Sequence, residues 1–151
     1  YNTHKGISMA LVYIEQVEEM SVRQMKQTHE YEIKILNDID KLAFLHDRGE
    51  ATMEELENKI NEYLDHVKEH FANEEKLMSK YDFPKYEMHK TAHDMFLDDF
   101  SYAVREWKEH GNIDKVINFI YKSPEWIVLH INTVDAPTAT YIAQKMTLEE
   151  K

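Results

Sequence analysis

The chain has no cysteine, which excludes disulfides, iron-sulfur clusters and thiolate zinc sites. Any metal it holds must take nitrogen and oxygen ligands. Only 3 Gly and 3 Pro occur among 151 residues. That starves a sheet of its turns, whereas Glu, Lys, Met, Leu and Ile, which suit long helices, are plentiful. Basic patches are missing too. The 18 Lys and Arg stand against 29 Asp and Glu for a formal charge of -11, which argues against nucleic acid as a partner. No apolar run approaches the roughly 20 residues a membrane span needs, and no charged-then-apolar leader opens the chain. A soluble, cytoplasmic protein with no membrane partner is expected. Because the chain opens on Tyr1 rather than Met, an attached signalling domain or protein partner is left open.

The length suits a single domain, 1–151, with its core in 21–135. From Ser21 to about Leu45, the residues Met25, Ile33, Leu36, Ile39 and Leu42 recur at helical spacing and predict one buried stripe. Gly49 is a stop, and Thr52 with Glu55 reads as a capping box opening a second helix that runs to about Lys80. Pro84 suits a first helical turn, and Phe96, Phe100, Val104 and Trp107 carry a third helix to Gly111. A fourth helix starts at Asp114. Ser123 and Pro124 look like an N-cap followed by a first-position proline, so a break is expected there, with a fresh helix from Trp126 to Val134. Pro137 is expected to end or bend that helix before a short one from Thr138 to Met146. Thr3 to Glu19 is also helix-like. The expected fold is all-α, an up-down-up-down four-helix bundle with extra N-terminal and C-terminal helical segments.

What the sequence has in excess is histidine, 9 in all. His70 and Glu74 stand four apart, as do His89 and His93, so each pair projects from one helix face and can grip a metal. His130 and Asp135 stand five apart, an oversized step over which the carboxylate is expected to curl back as the helix unwinds before Pro137. His29 gives the first helix a ligand of its own. Any one such pair is more often a solvated helix face than a site. Four successive helices each contributing is a different matter: five imidazoles and two carboxylates suffice for two metals sharing bridging oxygens. His4, His46, His66 and His110 are assigned to the surface.

The stretches THEYEIKILN, HFANEEKLM, HKTAH and WIVLHINTVD resemble the hemerythrin family, in which the ligand order is H, HxxxE, HxxxH and HxxxxD. All seven positions stand here at that spacing, from His29 to Asp135. The resemblance implies two iron ions with a bridging oxo or hydroxo group. His89, His93 and His130 would hold one iron, His29 and His70 the other, and Glu74 and Asp135 would bridge them. It also implies that the second iron keeps an open position for dioxygen or a similar small ligand.

Trp126 and Ile131 match the family's apolar ligand pocket. Two positions depart from it: Glu32, one turn from His29, where bacterial relatives carry an apolar residue, and Thr133, where a leucine often guards the ligand. Both are candidates for contact with the bound ligand, and Glu32 alternatively for a role beside the metals. The expected function is reversible dioxygen binding for sensing, delivery or storage rather than an enzymatic one. The alternative is a di-iron enzyme acting on peroxide, nitric oxide or ferrous iron, with Glu32 and Thr133 handling protons. Asp135 argues against the related repair-type proteins, and a ferritin-like ExxH pairing is absent.

Overall fold

The computed structural model describes residues 23–149, so the helix-like stretch Thr3 to Glu19 and His4 lie outside the described residues. Helices α1 (Arg23–Asp47), α2 (Met53–Lys80), α3 (Tyr86–His110) and α4 (Asp114–His130) form the bundle. A π-helical turn, Ile131–Asp135, then leads directly into α5 (Ala136–Glu149). Short connections make successive helices antiparallel, and α1 also meets α4, which closes the up-down-up-down bundle. Strands are absent among the described residues, and none of their helices is long and apolar enough to cross a membrane.

Local chemistry sets most of the boundaries. Thr52 accepts the Glu55 N–H at 3.1 Å, which satisfies one of the orphan donors at the start of α2. Gly111 ends α3 in the left-handed region at φ 72°, where a side chain would be strained. Pro84 sits in the turn just ahead of α3 rather than within its first turn.

Ser123 and Pro124 do not break the fourth helix. Helix α4 runs through them. Pro124 has no N–H to offer the Ile120 carbonyl four residues back, but the buried Ser123 hydroxyl donates to that carbonyl at 2.7 Å. The serine that reads as a cap therefore repairs the defect its neighbour creates. Pro137 likewise ends nothing, because it falls just past the π-helical turn and α5 continues beyond it.

Two packed regions share the interior. The larger joins α1 to α4 through Leu36, Ile39, Ile60, Tyr63, Phe96, Phe100 and Ile120. A smaller one seats α5 through Ala139 and Ile142 against Met25, Met78, Tyr81 and Ile131. Burying each large aliphatic side chain contributes roughly 1.5–3 kcal/mol, and this apolar frame offsets the cost of a strongly polar cluster buried between the two regions.

Candidate metal centre

That cluster consists of His29, His70, Glu74, His89, His93, His130 and Asp135, all buried. His29 comes from α1, His70 and Glu74 from α2, and His89 and His93 from α3. His130 closes α4, and Asp135 ends the π-helical turn. The π winding is what brings the last pair together. Its turn takes up an extra residue, the Ala136 N–H reaching back to the Ile131 carbonyl, so a five-residue step returns to the same face. Asp135 Oδ1 lies 3.0 Å from His130 Nε2. Continuous helix, not unwinding, makes this spacing work.

The two carboxylates stand between two groups of imidazoles. Glu74 turns Oε1 towards His93 and His89, at 3.0 and 3.3 Å, and Oε2 towards His70 and His29, at 2.6 and 3.5 Å. Asp135 divides its oxygens in the same sense, with Oδ1 2.9 Å from His89 and Oδ2 2.9 Å from His29. Nε2 of His29, His89, His93 and His130, Oε1 of Glu74 and both Asp135 oxygens are buried without a well-formed hydrogen bond. Polar atoms left so are costly unless something else satisfies them. Donor atoms from His89, His93, His130 and Asp135 lie within 4.8 Å of one another, as do those from His29, His70, Glu74 and Asp135. Nitrogen and oxygen donors in two converging sets suit iron and similar divalent metals.

Charge pairing among these groups is strong. Burial opposes a charge on His29, yet Asp135 and Glu74 outweigh it and push its pKa up to about 9. His89 is pushed up to about 9 by the same balance. Burial also opposes the charge on Glu74, but the histidines, His70 foremost, hold its carboxyl well below the usual range. Asp135 is held low too, against its burial and the nearby Glu74 charge, by the close imidazoles of His130, His29 and His89.

The far nitrogens of three imidazoles are fixed by acceptors. His70 Nδ1–H donates to the Glu32 carboxylate at 2.7 Å. His89 Nδ1–H donates to Thr138 Oγ1 at 2.9 Å, whose own proton goes to the Val134 carbonyl at 2.8 Å. His93 Nδ1–H donates to Glu75 at 3.1 Å. Such bonds set the tautomer and aim Nε2 at the metal position. Stacking locks two rings further, His93 on Phe71 with centroids 3.8 Å apart and His130 on Trp126 at 4.3 Å.

A small cavity of about 20 Å³, room for about one water-sized molecule, opens beside His29, His70, His130 and Asp135. Val67, Phe71, Phe96, Trp126, Ile127 and Ile131 make most of its wall apolar, and Glu32 and Tyr63 supply polar groups. Glu32, Trp126 and Ile131 thus line it. Thr133 does not. It is exposed, bonds its hydroxyl to the Leu129 carbonyl at 2.6 Å, and is not among the residues lining the cavity. The π-helical turn rotates it outward as it rotates Asp135 inward.

Outside the cluster, His110 is exposed near Glu106, and His46 meets the Ala51 carbonyl. His66 is half-buried against Tyr31 rather than solvated, and does not join His70 in the cluster. Thr138, Glu75 and Tyr63 escape a reading of ligand spacing. Glu75 carries a faint signal as a second acid beside Glu74; Thr138 carries none, since only the path of α5 past Pro137 brings it to His89.

Fold and site together define a helical bundle with a buried cluster of histidines and carboxylates that could hold metal. The sequence profile of the hemerythrin HHE cation binding domain matches residues 20–136, and the chain belongs to the hemerythrin family. It is 30% identical over 116 residues to the bacteriohemerythrin of Aquifex aeolicus, covering 76% of this chain and 85% of that one. A second relative, the bacteriohemerythrin of Ralstonia nicotianae, is 26% identical over 97 residues, 64% of this chain and 70% of its own. No solved structure gives a significant match.

Proposed function

We propose that this centre holds two iron ions joined by a solvent-derived oxo or hydroxo bridge. In this reading the chain binds dioxygen or a similar small ligand reversibly, for oxygen sensing, delivery or storage. The observation that carries the two-metal reading is the division of both carboxylates, each giving one oxygen to either group of imidazoles. His89, His93 and His130 would hold one iron, and His29 with His70 the other. When bound, the irons supply an open coordination position and the electrons a ligand such as dioxygen accepts.

The chain's own residues do the rest. Glu32, Thr138 and Glu75 orient three ligating imidazoles, while the apolar wall around the cavity limits water at the His29 and His70 side. Both Glu32 oxygens accept from His70 Nδ1–H, and Thr133 points away from the cavity, which favours ligand binding over an enzymatic reading that would use the pair for proton transfer. The name bacteriohemerythrin, borne by both relatives, agrees with ligand binding. Reduced, iron-loaded protein should develop a visible absorption band on exposure to air and lose it under inert gas over repeated cycles. Immediate irreversible oxidation, or steady consumption of peroxide, would overturn this reading.

A further inference from the structure

Among the non-ligating groups of the cavity wall, Val67, Phe71, Phe96, Ile127 and Ile131 carry no side-chain donor, and Glu32 is a carboxylate occupied with His70. Two donors are left, the Trp126 indole and the Tyr63 phenol. Trp126 lies flat on His130 and packs against Phe96 at 4.4 Å, which holds it on the His130 side of the cavity. Tyr63 stands two helical turns before His70 on the same face of α2, only 2% exposed, its ring set against Phe100 at 5.6 Å. Burial, reinforced by the charge of Glu32, keeps its phenol protonated far above neutral pH, so it retains a proton to donate to whatever enters.

We propose that Tyr63 donates a hydrogen bond to the small ligand held in the cavity beside His29 and His70, and so favours ligands with an accepting terminal atom. This makes Tyr63 a specificity-determining residue of the site, and it rests on the two-iron reading above. A donor desolvated on folding loses little more when a ligand enters, and only an accepting ligand satisfies it, so its discrimination between accepting and non-accepting ligands is strong.

Azide on the oxidised, iron-loaded protein is the probe. Tyr63→Phe should keep the iron content of the parent and bind azide about five- to tenfold more weakly, the loss expected for one hydrogen bond. The infrared stretch of bound azide should shift between H₂O and D₂O in the parent and in Trp126→Phe, but not in Tyr63→Phe. Equal affinity and an equal deuterium shift in parent and Tyr63→Phe would overturn the proposal while leaving the two-iron reading intact. Loss of the shift in Trp126→Phe alone would give the role to Trp126 and overturn it as well. The parent's own deuterium shift needs no variant to fold, and its absence would count against Tyr63 directly. A parent that takes up no iron sinks the two-iron reading and this proposal with it.

Discussion

Each proposed ligand is one residue in a set whose members lean on one another, so single changes should act through metal retention. His70→Ala removes an imidazole bonded on both sides, to Glu32 and Glu74, and His93→Ala removes one stacked on Phe71. Both variants should lose most of their iron by metal assay, whereas His66→Ala should keep it, because His66 packs on Tyr31 outside the cluster. Full iron in the first two would place the site elsewhere. Protonation gives an independent check. In the metal-free chain His29 and His89 have pKa values of about 9, above their ordinary 6.5, so both carry protons at pH 7. A metal takes only neutral imidazole. Loading at pH 7 should therefore release protons into a weakly buffered indicator solution, and the release should vanish as pH rises past about 9. Release that grew with pH would contradict this charge arrangement.

At the scale of elements, the π-helical turn is the device that makes HxxxxD a usable spacing. Because the turn takes up one extra residue, deleting exposed Thr133 should let this stretch wind as ordinary α-helix, with Asp135 four residues from His130, still on its face, and α5 in phase with the bundle. Iron binding should be kept while far-ultraviolet circular dichroism stays helical; a deletion variant that lost its iron would show that the turn does more than absorb the extra residue. Legibility in the sequence divides along the same line. Met25, Ile33, Leu36 and Ile39 announce α1 because burial imposes a helical period, and Thr52 and Gly111 announce ends because caps are local chemistry. The four-residue steps from His70 to Glu74 and His89 to His93 are legible for that reason as well. Ser123 with Pro124 misleads because one local pattern, serine before proline, serves two purposes, and only the Ile120 carbonyl shows which. Thr133 misleads because a π-helical turn shifts the phase of every residue after it, and no periodicity assumed beforehand includes that shift.

The molecule buries five imidazoles and two carboxylates of this cluster between its two apolar regions, an arrangement that a bound metal would stabilise by satisfying the converging donors. Metal free at about 1,000 times its Kd adds about 4 kcal/mol, which for a domain of this size raises Tm by roughly 10 °C. Calorimetry of loaded and chelator-treated protein should show a difference of that order, and equal melting temperatures would mean that the cluster folds as well without metal. The metal-free form has its own dependence on pH. Raised histidine pKa values contribute stability that is complete below 6.5 and lost as pH rises through about 9.

The central claim, that both carboxylates span two metals rather than crowd around one, is tested most directly by counting. Purified chain loaded anaerobically with ferrous iron and freed of excess should retain about two irons per folded molecule. Retention of a single iron, or of none, would contradict the account.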